Sequence, residues 1–485
     1  MSTSKEENSY RNIFRGTSVF GGVQVFLVLI NLLRGKLVAL LLGPEGMGIS
    51  NMFVTSSNTV QRFASLGLNL AVVREVAECK DDAGALSAIR VISGRVISVT
   101  ALAGCLFCIL CSVWLSELSF GSDEYAWQFM LLGVAVYFMV AGNGKMSVLQ
   151  GLHRVKALSV STLIGALSAL CVSVPIYYVW GNRGIVPALV VFSAIMYVAY
   201  SVFLRREHKV QQVRFKWSEH GAVVRRLVAM GVVLMAGDLI GSACTYALSV
   251  FIRITGDIEA VGLYQAANSI TMQYLGVVFA AMSLDYFPRL TASAGDNASM
   301  TAVVNRQSVL VGLATAPLAI MLIIFAPLVV RILLSEEFET VEPLLRIFAV
   351  GVLFKAYSFP MGYITFAKGD KRLFFMLEGV FCNVLMLSAG SAGYYLAGLE
   401  GLGYGMVAEH FISIIVYYIV NRRVYGYRMG RRVLAEYVLG AVLVATAFAA
   451  MSLPGVVLPY SIAGLIAVAT LTYSLVTVGR LVRIN

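Results

Sequence analysis

The chain has 485 residues, 59% hydrophobic and 13% charged, with a mean hydropathy of +0.82. Soluble domains carry roughly one-quarter charged residues, and no soluble core of this size could hide so much apolar surface, so a water-soluble globular protein is excluded. The net charge of +11 does not signal a nucleic-acid partner, because Lys and Arg are dispersed at the ends of apolar runs with no aromatic-interleaved patch.

Crossing the hydrocarbon core takes about 20 mostly apolar residues. In chain order, apolar windows and turn signals predict spans near 16–42, 46–73, 91–115, 126–150, 157–180, 184–204, 227–252, 260–287, 307–328, 343–366, 373–396, 401–421, 433–452 and 459–479. The first apolar run is too long, and with Arg34 and Lys36 too charged, for a cleaved signal peptide. With the N-terminus inside, the inner segments hold 27 Lys and Arg while the outer loops hold 3, namely Arg183, Arg253 and Arg331. That asymmetry predicts both termini in the cytoplasm of a multi-pass protein of the bacterial inner membrane. The outer loops are short and often acidic, with no room for a folded catalytic domain. Six of the seven cysteines lie in apolar runs and Cys79 in an inner loop, so no disulfide is expected.

Three landmarks recur at nearly one offset. The turn Gly43-Pro-Glu-Gly-Met-Gly48 has a counterpart at Gly256-Asp-Ile-Glu-Ala-Val-Gly262; the basic turn at His153-Arg154-Val155-Lys156 at Asp370-Lys371-Arg372; and Arg205-Arg206 at Arg422-Arg423. The spacings agree within three residues. They predict an all-α polytopic protein of about fourteen transmembrane helices, with an N-lobe over 1–204, a C-lobe over 227–421, and two additional spans over 433–479. An even number of spans separates the copies, so the lobes are parallel repeats, which normally enclose a central cavity. Residues 205–226 carry seven Lys or Arg with Val210, Val213 and Trp217, which suits an amphipathic segment on the anionic inner leaflet; a solvated linker is the alternative.

Two six-helix lobes with a terminal pair, the start Arg11-Asn-Ile-Phe-Arg-Gly-Thr-Ser18 and the turn Leu42-Gly-Pro-Glu-Gly-Met-Gly48 resemble the polysaccharide-transport branch, the Wzx-type O-antigen flippases, of the multidrug/oligosaccharidyl-lipid/polysaccharide exporter superfamily. The resemblance covers the whole chain. It implies a transporter rather than an enzyme, moving an undecaprenyl-diphosphate-linked oligosaccharide from the inner to the outer leaflet by alternating access for O-antigen, capsule or exopolysaccharide assembly. The expected partners are that lipid-linked substrate, membrane lipids and polysaccharide assembly proteins around a functional monomer.

Seven basic residues fall within spans: Arg34, Lys36, Arg62, Arg95, Lys145, Arg346 and Lys355. A charge at the bilayer centre costs about 2.5–3.5 kcal/mol on insertion scales, so such residues face a wet cavity or pair. Arg95 and Arg346 lie near span ends and are expected to reach the interface. Arg34, Arg62 and Lys355 sit deeper and, with Lys36 and Lys145, are the candidate ligands of a diphosphate, which arginine grips with its planar fork and lysine with an adaptable point charge. Asn51, Thr55, Asn58, Arg62, Ser65 and Asn69 follow steps of 4, 3, 4, 3 and 4, the spacing of one helical face, and are expected to line the cavity; polar glue between helices is the alternative.

Asp238, Glu378 and the Glu409-His410 pair are the acidic candidates for a coupling-cation site that would take H⁺ or Na⁺; no other cofactor and no metal is expected. Related lipid flippases place a cation site among the seventh, eleventh and twelfth spans, which hold these three acids. Ion pairing with Lys355 or Arg346 is the alternative. Prolines 317, 327 and 360 with Gly362 mark kinks or span ends. A multidrug exporter of the same superfamily is the first rival function, but a positive cavity repels the usual cationic cargo. A membrane sugar polymerase or glycosyltransferase is the second, and it would call for a sizeable outer loop or acids clustered at a span end.

Overall fold

A computed structural model gives the architecture and describes residues 3–79, 82–207 and 217–483. Among them every regular element is helical. The chain divides into two compact units, Met1–Tyr246 and Ala247–Asn485.

The first unit contains α1 (Thr3–Ser65), α2 (Leu68–Glu78), α3 (Ala83–Leu110), α4 (Ser112–Phe120), α5 (Ala126–Gly151), α6 (Val155–Trp180) and α7 (Ile185–Glu207), and α8 (Trp217–Thr255) as far as Tyr246. Helix α5 is its centre, packed against α2, α3 and α7. Small residues permit these close approaches. A Cβ on Gly104 would press on Ala64 and Val136, and one on Gly133 on the Cys105 carbonyl. Asp82 caps α3 by accepting from the backbone N–H of Gly84 and Ala85. The basic linker predicted over 205–226 falls largely on residues 208–216, outside the described residues.

The second unit continues α8 from Ala247 and contains α9 (Ile258–Ala292), α10 (Asn297–Leu333), α11 (Glu342–Ala367), α12 (Lys371–Phe374), a π-helical stretch at Phe375–Phe381, α13 (Cys382–Tyr425), α14 (Arg431–Met451) and α15 (Val457–Arg483). Helices α14 and α15 pack on α10 and on each other. Tyr437 of α14 stacks on Tyr357 of α11 with ring centroids 3.8 Å apart and donates to the Tyr357 carbonyl. Helix α13 is a hairpin: non-helical backbone at Ala397 and Gly398 folds its second half back on the first. Gly393 meets the backbone of Gly401, and Gly405 that of Ala389, so the two halves run antiparallel in near-contact.

Ten helical stretches among the described residues are long and apolar enough to cross a membrane. Three of them are interrupted. Leu29–Ser65 breaks at Gly43, Val155–Arg206 at the 3₁₀ turn Gly181–Gly184, and Lys371–Tyr425 at Ala397–Gly398. These positions are the turns that the sequence places between the first and second, fifth and sixth, and eleventh and twelfth spans.

One expectation about local structure is corrected. The stripe Asn51 to Asn69 does not run along a single helix, because α1 ends at Ser65 and Leu66 and Gly67 turn left-handed (φ 48° and 63°) before α2 begins at Leu68. The turn has a packing cause. A Cβ on Gly67 would run into the Gly231 carbonyl of α8, and one on Gly231 into the Leu66 carbonyl, so two backbones touch where only glycine fits. Gly231→Val is expected to destabilise the protein by about 1–3 kcal/mol, the usual cost of overpacking, read as a lowered denaturation midpoint in detergent. An unchanged midpoint would mean that the α1–α8 contact carries no stability.

Candidate functional site

Helix α8 lies along the end of α1 through one face. Its residues Gly231, Asp238, Ser242 and Tyr246 recur at steps of 7, 4 and 4, which aligns them. Gly231 meets the Leu66–Gly67 turn, the Asp238 carboxylate pairs with Arg62 (Nη1 to Oδ2, 3.2 Å), the Ser242 carbonyl accepts from Thr59 Oγ1 (3.3 Å), and the Tyr246 hydroxyl bonds Ser119 Oγ (2.6 Å). Beside this seam is a pocket of about 180 Å³ lined by Gln61, Arg62, Ser65, Asn69, Asn143, Met235 and Asp238 with Gly67 and Leu70. The α1–α2 turn brings Asn69 back beside Ser65 and Arg62 although the helix has ended. The pocket therefore offers one guanidinium, three amides and a hydroxyl, with one carboxylate already seated on the guanidinium. The Arg62 side chain is 42% and that of Asp238 67% exposed, so neither charge is sealed in protein.

The other members of the predicted set are spread out. Asn51 is buried, and Thr55 and Asn58 are half-buried on α1, with the Thr55 hydroxyl bonded back to the Asn51 carbonyl (2.7 Å). These three do not line the Arg62 pocket. Arg34 and Lys36 lie on α1 before the Gly43 break, and Arg34 Nε is buried with no acceptor among the described residues. Lys145 is on α5 two residues from Asn143, about 200° around the helix, and it lines a different pocket, where its ammonium lies 4.6 Å from the Tyr197 ring centroid. Arg346 pairs with Glu342 one turn away (2.7 Å) and Arg95 is exposed.

The second unit holds Lys355, Glu378 and Glu409. On α13, Glu409, Ser413, Tyr417 and Asn421 recur every four residues and form a polar stripe facing α11 and the π-helical stretch. Ser413 donates to Glu409 Oε1 (3.1 Å), His410 Nδ1 contacts Glu409 Oε2, and Asn421 donates to the Met361 carbonyl (3.0 Å). Tyr417 donates to Glu378 Oε1 in a short hydrogen bond, and Cys382 Sγ lies 3.0 Å from the Tyr417 hydroxyl and 3.9 Å from Ser413 Oγ. A polar path thus runs from Glu378 through Tyr417, Cys382 and Ser413 to Glu409. Lys355 lies on α11 with its Nζ 3.8 Å from Met272 Sδ. The extra residue of the π-helical turn frees carbonyls that Asn383 Nδ2 satisfies, bonding Glu378 O and Gly379 O (both 2.9 Å). Gly362 leaves the space for this arrangement, since a Cβ there would sit 2.8 Å from Glu378 Oε1.

Of the three acids grouped by the sequence, Asp238 belongs to the first unit, on Arg62, while Glu378 and Glu409 share one network in the second. Residues missed by sequence reasoning are Gln61 and Asn143 in the pocket and Tyr417, Cys382 and Ser413 in the network. Glu436 was missed as well: it is buried in α14 and accepts from the Tyr473 hydroxyl (2.8 Å). Asn143 could have been found as an amide deep in an apolar span, and the α13 stripe from its four-residue period.

Comparison with known proteins places these features in a family. The family described as "Polysaccharide biosynthesis protein" matches residues 13–293. The lipid III flippase of Escherichia coli (strain K12) is 22% identical over 391 residues, covering 80% of this chain and 92% of that protein. Among solved structures, the lipid II flippase MurJ in an inward closed conformation matches 95% of this chain and 99% of its own with a TM-score of 0.72 at 14% identity. An inward-facing multidrug resistance MATE family transporter of the MOP superfamily matches 82% of this chain and 94% of its own with a TM-score of 0.70 at 15% identity. At such identities the structural likeness is one of fold.

Proposed function

The chain belongs to the polysaccharide biosynthesis protein family, and we propose that it is a flippase for a lipid-linked oligosaccharide, not an enzyme. The observation that carries this reading is the Arg62 pocket, an amide-lined site with a half-exposed guanidinium in a multi-pass helical protein. The name of the Escherichia coli relative, a lipid III flippase, favours a lipid-linked cargo. The finer statement is that the cargo is undecaprenyl-diphosphate-linked and moves from the inner to the outer leaflet of the bacterial inner membrane by alternating access, the protein acting as a monomer.

In this reading the diphosphate displaces Asp238 from Arg62, and the amides of Gln61, Asn69 and Asn143 complete its hydrogen bonding. Arg34, whose Nε has no acceptor among the described residues, and Lys36 supply further positive charge on α1. The Glu378–Tyr417–Cys382–Ser413–Glu409 path suits a coupling proton or Na⁺, because it joins two carboxylates through hydroxyl and thiol groups within helices of membrane-spanning length. Fourteen crossings follow if each of the three interrupted stretches crosses twice and α9 once; the 27-to-3 Lys and Arg asymmetry then favours cytoplasmic termini.

The MATE-like fold is compatible with a multidrug exporter, and the Arg62 pocket sets one guanidinium against one carboxylate, so the cargo is decided by experiment. Lipid extraction from a deletion strain separates the two. Accumulation of a diphosphate-linked oligosaccharide is expected; a normal lipid pool with heightened sensitivity to cationic drugs would favour the exporter.

A further inference from the structure

On the face of α5 opposite the Arg62 pocket, α3, α5 and α7 enclose a second cavity of about 200 Å³. It holds two cations, Arg90 and Lys145, two hydroxyls, Ser93 and Ser98, and no acidic residue among its lining residues. The rest of the lining is apolar apart from Tyr197 and two glycines. Arg90 Nη2 donates to the Leu204 carbonyl (3.2 Å), which fixes the guanidinium against the end of α7, and Lys145 is steadied over the Tyr197 ring. Gly94 keeps one side clear, since a Cβ there would meet no atom within 4 Å.

The depth of the cavity points to its occupant. Arg90 lies two turns into α3 and Leu204 in the last turn of α7, just before Arg205 and Arg206, so this end of the cavity is on the Lys- and Arg-rich side of the membrane. Lys145 lies six residues before the end of α5, about 9 Å along the helix, the depth from which a lysine reaches up to headgroups. Gly94 and Ser98 are exposed, which opens the cavity sideways. The volume equals that of several water molecules at about 30 Å³ each, enough for a phosphate and its ester atoms. We propose that this cavity is a binding site for the phosphate group of an inner-leaflet lipid, held between Arg90 and Lys145, separate from the transport pocket on the other face of α5.

Anionic phospholipid and the polyprenyl substrate share this chemistry, and binding assays can tell them apart. The purified protein in nanodiscs of phosphatidylethanolamine would be titrated with phosphatidylglycerol or with undecaprenyl diphosphate and read by native mass spectrometry, for the wild type, Lys145→Met, Gly94→Leu and Arg62→Ala. Lys145→Met keeps the aliphatic stem, so it guards against a folding artefact from filling the cavity in Gly94→Leu. For a phospholipid site, Lys145→Met and Gly94→Leu each weaken phosphatidylglycerol binding about tenfold or more, while Arg62→Ala leaves it unchanged. If those two variants instead weaken undecaprenyl diphosphate alone, the phosphate site stands and its lipid is the substrate. Unchanged binding of both lipids in Lys145→Met and Gly94→Leu overturns the proposal.

Discussion

Arg62→Ala is expected to lower transport of the lipid-linked oligosaccharide by at least about tenfold at unchanged protein level, because hydrogen bonds to charged groups contribute about 1.5–3 kcal/mol. Arg62→Lys should fall in between, since the charge survives and the bidentate fork does not. The partner residue moves the other way. Asp238 occupies Arg62 Nη1 at 3.2 Å and would compete with a diphosphate for it, so Asp238→Asn should tighten undecaprenyl diphosphate binding about two- to fivefold, the scale of an exposed ion pair. The gain must vanish in the Arg62→Ala background. A gain that persists without Arg62 would assign Asp238 a general field effect instead of competition.

The second large effect is expected in the second unit. Tyr417→Phe removes the donor of the hydrogen bond between α13 and the π-helical stretch, and Glu378→Gln removes the charge of its acceptor. Hydrogen bonds to charged groups contribute about 1.5–3 kcal/mol, so turnover should drop at least about tenfold. Undecaprenyl diphosphate affinity should stay within about twofold, because neither residue lines the Arg62 pocket. Equal losses of affinity and turnover would remove this cluster from coupling and make it part of the substrate site.

Much of this was legible in the sequence because the bilayer imposes simple rules. Apolar length located the helices, and the glycine-rich turns at Gly43, Gly181 and Gly398 are where the backbone breaks. Arg62 stands out as a cation in an apolar run, and Ser65 and Asn69 line one pocket with it, Asn69 by way of the turn. Periodicity assumed an unbroken helix, however. It could not register the left-handed Leu66–Gly67 turn, which answers to Gly231 some 160 residues later. Nor could it place Lys145, since it lies two positions from Asn143 and that step turns it onto another face. Tyr417 reads as one more aromatic in an apolar helix, and only the fold brings its hydroxyl to Glu378. Asp238 was grouped with the other acids by composition, and long-range contact seats it on Arg62.

The most direct test of the central claim is flipping in liposomes reconstituted with the purified protein, using undecaprenyl-diphosphate-linked oligosaccharide placed in one leaflet and a membrane-impermeant lectin to read its arrival in the other. The account predicts transfer well above protein-free liposomes with the wild type, and transfer near the protein-free level with Arg62→Ala. Wild-type vesicles no faster than protein-free ones, in the presence of a membrane potential and both H⁺ and Na⁺ gradients, would contradict it.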